Sequence, residues 1–189
     1  MKVAVIGAGN IGGTIGEAWA KAGHEVTYGL RDPAKKKGAE PINAAIQGAD
    51  AVLIAVPGGA VVDFVRDHSQ ALDWKTLIDA TNNFRAASMH SWSELSKLVP
   101  NAQLYRAFNT LGWDVFAKPV LGGEKVDLFY AGPDGPERDK VERLIADAGM
   151  RPIRVGGPEQ VDVVDGVLRL WFTLSQSRGR RIAFKLISD

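Results

Sequence analysis

A chain of 189 residues suits one domain, or one domain with a small appendage, and leaves no room for a large separate substrate domain. Its 46% hydrophobic content and formal charge of +1 supply a core and give no basic surplus that would point to a nucleic acid. With no cysteine, disulfides, thiolate metal sites and a cysteine nucleophile are excluded, and the three histidines, His24, His68 and His90, lack ligand spacing, so no metal site is expected.

The opening "KVAVIG" is a short apolar run ending in glycine. It reads as a first strand and not a signal peptide, because its apolar stretch is brief and only Lys2 precedes it. A helix follows, with Ile11, Ile15, Ala18, Trp19 and Ala22 on one face and Gly23 as its stop. "EVTYG" is a second strand, and Asp32-Pro33 looks like an N-cap with proline at the first helical position. A third strand near "GAEPI" must be very short, since only Pro33 to Asp50 lie before the next apolar run, "AVLIAV" (Ala51 to Val56).

Further on come a helix near Ala60 to Leu72, a strand at "TLIDAT", a helix near Ser91 to Leu98, and strands at "QLYRAF" and "VDLFYAG". A helix over "DGPERDKVERLIADAG" and a last strand at "PIRVG" complete the series. This alternation predicts an α/β fold with a doubly wound, mostly parallel sheet, residues 1–189 forming one domain in which 158–189 are a C-terminal helix and tail. In the final helix, Pro158 to Arg178, one stripe holds Val161, Val164, Leu168 and Trp171 and another holds Val163, Val167, Leu170 and Leu174. Two apolar stripes predict a homodimer contact through this helix; the alternative is that the basic tail folds back over the second stripe. No run approaches the ~18 uninterrupted apolar residues of a membrane span, so a cytoplasmic protein without a membrane partner is expected.

Gly7, Gly9 and Gly12 sit between that first strand and first helix, which is the context a dinucleotide-binding turn requires. Gly7 permits the tight turn, Gly9 the approach of a pyrophosphate and Gly12 the packing of helix on strand, while the helix that starts near Asn10 offers free amides. At the end of the second strand, where NAD-binding turns carry an acid, stand Leu30 and Arg31. A guanidinium grips a phosphate bidentately, with Lys35, Lys36 and Lys37 close behind, and the position favours NADP over NAD; the plainer reading is a solvated basic loop.

Three loops after strands, "VPGGA" (Val56 to Ala60), "ATNNF" and "AFNTLGW", are expected to line the nicotinamide end of the cleft, where Asn82, Asn83, Asn109 and Thr110 offer neutral hydrogen bonds. Ordinary turn chemistry is the competing account of these asparagines. No histidine, lysine or carboxylate has a motif that would make it a general acid or base, so no catalytic residue is assigned. Hydride transfer between nicotinamide and a flavin-like ring needs mainly stacking and orientation.

"GAGNIGG", "AGHEVTYGLRDP", "IAVP", "IDATN", "AFNTLGWDVFAKP", "DLFYAGPD" and "GRRIAFKL" resemble, in order and spacing, the NADPH-dependent deazaflavin reductase family, the NADP:8-hydroxy-5-deazaflavin oxidoreductases related to the reductase domain of the Steap metalloreductases. The resemblance implies a dimeric Rossmann domain that moves a hydride between NADPH and a deazaflavin or flavin-like ring. It places Gly7, Gly9, Asn10, Ile11 and Gly12 at the pyrophosphate and Arg31 with Lys35 at the 2′-phosphate. Val56 and Pro57 would then flank the nicotinamide, and Asn109 and Thr110 would face the second ring. Leu30 stands where such proteins often carry a serine as another phosphate contact. Two readings compete: an NADP-linked dehydrogenase or imine reductase on a small metabolite, and a non-catalytic NADP-binding sensor.

Overall fold

Alternation along the strands divides the core in two. The computed structural model describes residues 1–188. Its first half runs β1 (Lys2–Ile6), α1 (Asn10–Lys21), β2 (Glu25–Leu30), β3 (Ala39–Pro41), α2 (Ile42–Gln47), β4 (Ala51–Ile54), α3 (Val61–Asp67), α4 (Ser69–Leu72) and β5 (Thr76–Asp79). The second half runs α5 (Trp92–Leu98), β6 (Gln103–Arg106), α6 (Trp113–Ala117), β7 (Val120–Leu121), β8 (Glu124–Lys125), β9 (Asp127–Ala131), α7 (Pro136–Asp147), β10 (Arg151–Gly156) and α8 (Val161–Arg178). Val3, Val5, Leu53, Ile78 and Tyr105 turn to one face, against α1, α6, α7 and the inner side of α8. Ala4, Ile6, Val52, Ile54, Leu77 and Leu104 turn to the other, against α2 to α5.

Eight strands form one sheet in the order β10-β9-β6-β5-β4-β1-β2-β3. β1 pairs in parallel with β2 and β4, placing Val3 beside Val26 and Ala51. The parallel order continues through β5 to β6. β9 meets β6 antiparallel and carries β10 with it, because the chain between β6 and β9 makes α6 and the small β7–β8 hairpin in place of a helix that crosses the sheet. The expected doubly wound, Rossmann-like sheet is therefore present, with two reversed strands at one edge.

Several local expectations are corrected. The helix expected at Asp32-Pro33 is one 3-10 turn, Pro33–Lys35, and Asp32 makes no side-chain capping bond. The helix expected over Ala60 to Leu72 is broken at His68, whose Nδ1 donates to Asn43 Oδ1 at 2.6 Å. The short elements α2, α6 and β7–β8 had no periodic signal long enough to be read.

α8 buries Val161, Val164, Leu168 and Trp171, as its first stripe requires, and leaves Val163, Leu170 and Phe172 exposed. The tail does fold back, but elsewhere: Trp171 Nε1 donates to Ile182 O at 3.0 Å, Lys185 reaches Glu124 and the Leu186 N–H donates to Asp127 at 2.6 Å. It covers the β7–β8 side of the molecule, and Val163 and Leu170 stay open. No helix among the described residues is long and apolar enough to cross a membrane.

Candidate functional site

The turn after β1 is fixed by space as well as by torsion. Gly7 has φ +102°, and a Cβ there would lie 2.6 Å from Ala55 O. At Gly12 a Cβ would fall 2.0 Å from Gly7 O and 3.1 Å from Val5 Cγ1, so α1 lies against the turn and β1 as closely as backbone permits. Gly9 faces open space and serves as the N-cap of α1, whose first turn carries no acid. The first amides of α1, from Asn10, Ile11 and Gly12, thus lie where intrahelical acceptors do not exist. Asn10 and Ile11 border a cleft of about 440 Å³ walled also by Gly7, Gly9, Leu30, Arg31, Val56 and Pro57. A cradle of exposed amides with no side chain over it fits the pyrophosphate of a dinucleotide.

Arg31 lies beside Leu30 at the carboxyl end of β2 and lines both this cleft and an adjoining cavity of about 300 Å³ that contains Phe64 and His68. Among the described residues Arg31 makes no ion pair, unlike its neighbours. Lys35 Nζ stands 3.9 Å from Asp32, so the carboxylate expected to cap a helix instead faces a lysine. Lys36 lies over the Tyr28 ring, 4.2 Å from its centre. Burial, with the nearby charge of Glu17, holds the Tyr28 hydroxyl above its ordinary range, and it donates to Gly13 O at 3.3 Å.

The three loops do not contribute as expected. Val56 and Pro57 line the cleft together with the glycine turn and Arg31, and they line the adjoining cavity as well. Gly58 packs on the next loop, where a Cβ would meet Asn82 O at 2.3 Å. Asn82 is half-buried and its amide is engaged twice: Oδ1 accepts from Arg106 at 2.8 Å and Nδ2 donates to Asn109 O at 3.0 Å. Asn83 is a turn residue, its Oδ1 accepting from the Arg85 N–H at 3.2 Å. Asn109 and Thr110 are 2% and 0% exposed, so their side chains face the interior and not a ring system in the open cleft. Phe108, held at φ 60° and wedged between Trp19 and Phe116, turns the chain so that Asn109 points inward.

What sequence reasoning missed is the group Asn109 points toward. Arg106, fully buried, donates from NH1 to Asp79 Oδ2 at 3.0 Å and to Thr81 O, and from Nε and NH2 to Asp165 Oδ1 at 3.0 and 2.8 Å. Asn109 Nδ2 adds a third bond to Asp165 Oδ1, at 2.9 Å. The available signal was a charge in the wrong place: Asp165 falls in line with Val161 and Leu168 on the buried side of α8, and Arg106 interrupts a buried strand. His90 also turns to α8, where Nε2 lies 3.1 Å from Asp162 Oδ1, and takes no place in the cleft.

Comparison with known proteins fits this geometry. Residues 2–83 match the family described as NADP oxidoreductase coenzyme F420-dependent. A crystal structure from Arthrobacter sp. FB24, provisionally named an F420-dependent NADP-reductase, aligns over 100% of both chains with TM-score 0.85 at 23% identity. The hypothetical protein SMa0349 from Sinorhizobium meliloti is 30% identical over 83% of this chain and 85% of its own, with TM-score 0.71. The glycerol-3-phosphate dehydrogenase [NAD(P)+] of Pseudomonas entomophila strain L48 is 26% identical over 125 residues, 54% of this chain, and the match spans only 37% of that enzyme. The chain belongs to the same family as SMa0349, and its segment 2–83 is similar to the coenzyme F420-dependent NADP oxidoreductases.

Proposed function

We propose that the protein transfers a hydride between NADPH and a deazaflavin or flavin-like ring. The observation that carries the reading is the pairing, in one cleft, of a side-chain-free amide cradle at Gly7 to Gly12 with an unpaired Arg31 where an acid would read a ribose diol. Arg31 would hold the 2′-phosphate, with Leu30 and Ile42 as apolar wall and Lys35 partly neutralised by Asp32. Asn82, Asn109 and Thr110 would shape the nicotinamide end from behind. When bound, NADPH would supply a hydride, that is one proton with two electrons, to the oxidised ring, whose reduction is completed by one proton from water. The chain's own part in this reading is to bind and orient. The exposed Val163, Leu170 and Phe172 support a homodimer contact on α8, and sedimentation as a monomer at micromolar concentration would remove that element.

The glycerol-3-phosphate dehydrogenase match favours one second reading, an NADP-linked dehydrogenase acting on a small metabolite. The test mixes the protein with NADPH and oxidised 8-hydroxy-5-deazaflavin and follows deazaflavin absorbance. Bleaching at a rate that saturates in both reactants is expected. NADPH binding without any deazaflavin turnover or fluorescence quenching would overturn the hydride acceptor and leave the metabolite reading.

A further inference from the structure

The carboxyl ends of β5 and β6 and the second turn of α8 are joined by a closed ring of side chains. Arg106 donates to Asn82, Asn82 donates to the Asn109 carbonyl, Asn109 donates to Asp165, and Asp165 accepts from Arg106 again. Each of these bonds is 2.8–3.0 Å long. Asp79 anchors the ring from below: Oδ2 accepts from Arg106, while Oδ1 accepts from the Thr81 N–H and hydroxyl at 2.9 and 2.7 Å. Through Gly58, which leaves no room for a Cβ against Asn82 O, the ring touches the loop whose Pro57 walls the cofactor cleft.

Buried ion pairs give little net stability compared with apolar side chains of the same shape, but they fix geometry. Here the geometry that is fixed is the relative position of two loops at the carboxyl edge of a parallel sheet, where ligands of such sheets sit. The left-handed Phe108 is a strained conformation kept in place on the same loop. We infer that Arg106 and Asp165 are positioning residues for the nicotinamide half of the bound cofactor, acting through Asn82 and Asn109, an inference that rests on the NADPH reading. Neither touches the cofactor: Arg106 is 0% and Asp165 2% exposed. α8 thereby takes part in the cleft from the far side of the sheet's edge.

The discriminating measurement uses two ligands. Adenosine 2′,5′-bisphosphate carries the 2′-phosphate and adenosine but no nicotinamide, whereas NADPH carries both. In Asp165→Asn, calorimetry is expected to give NADPH binding weakened about tenfold while the bisphosphate changes by less than about twofold. Asn109→Ala, which opens the ring while keeping both members of the ion pair, is expected to give the same asymmetry, and it decides the matter if Asp165→Asn does not fold. Proportional loss of both ligands, or no loss of either, would overturn the inference while leaving the NADPH reading in place. Failure of the unsubstituted chain to bind either ligand would overturn the NADPH reading and the inference with it.

Discussion

The two ends of the carboxyl edge are built in opposite ways. At β1, α1 and β2 the site is made of what is missing: no Cβ at Gly7 or Gly12, nothing over Gly9, and no acid in the first turn of α1. At β5, β6 and α8 it is made of what is enclosed: a guanidinium, two carboxylates and two carboxamides hydrogen-bonded to one another, with Asp165 Oδ2 and Asn109 Oδ1 buried without a partner among the described residues. The first is open and suited to an anion, because the helix dipole and free amides meet at the surface there. The second is closed and gains its value from direction, because charged hydrogen bonds in a dry interior are strong and unforgiving of misalignment. On the function proposed above, recognition belongs to the open end and alignment to the closed one.

The largest effect is expected where the closed end is broken outright. Arg106→Met removes the only cation of the network and leaves Asp79 and Asp165 buried without it. Removing one partner of a buried ion pair costs about 3–5 kcal/mol, so chemical denaturation should show a loss of that size. A loss below about 1 kcal/mol would mean that the network is hydrated, and the contrast between the two ends would fall.

That asymmetry also explains what could be read from the sequence. The glycine turn was legible because its demands are absolute: a positive φ at Gly7 and a 2.0 Å approach at Gly12 admit one residue type. Arg31 was legible because its place is counted from that turn. The strands were legible from uniform apolar runs, as at Ala51 to Ile54. The ring was not, because Arg106 and Asp165 are 59 residues apart and their pairing depends on how α8 packs beside β9, which no local spacing encodes. Asn109 and Thr110 were correctly placed near the edge but were assigned to the cleft, since a loop asparagine looks the same in sequence whether it faces water or a buried carboxylate. Asp32 was misjudged because the segment it precedes is too short to become a helix, and a 3-10 turn offers a capping carboxylate fewer amides.

At the open end, a substitution should alter recognition and leave stability intact. Arg31 is exposed and has no partner to strand, so Arg31→Ala should not lower thermal stability. Loss of a charge-assisted contact to phosphate costs about 1.5–3 kcal/mol, so NADPH affinity should fall by that amount while NADH affinity barely changes. Equal losses for the two nucleotides would show that Arg31 shapes the loop and does not read the phosphate, and recognition would have to be moved elsewhere in the cleft.

The smallest effect separates both ends from the tail that braces α8. The Asp127 carboxyl is fully buried; burial alone would raise its affinity for a proton, but the hydrogen-bonded Arg151 guanidinium, the Leu186 N–H and the Lys185 charge outweigh that and hold it below the ordinary 3.8. A carboxyl depressed on folding contributes stability above its unfolded value and loses it as the pH falls through the lower folded one. The Leu186 amide resonance, reporting the 2.6 Å bond to Asp127, should therefore be constant above pH 3.8 and move only below it. The amides of Gly9 and Asn10 should not follow, because nothing joins the tail to the open end except the body of the sheet. A Leu186 inflection at or above 3.8 would mean that Arg151 and Lys185 do not hold the carboxylate. A matching inflection at Gly9 would mean that tail, α8 and cleft respond as one unit, so that recognition and alignment are not separable.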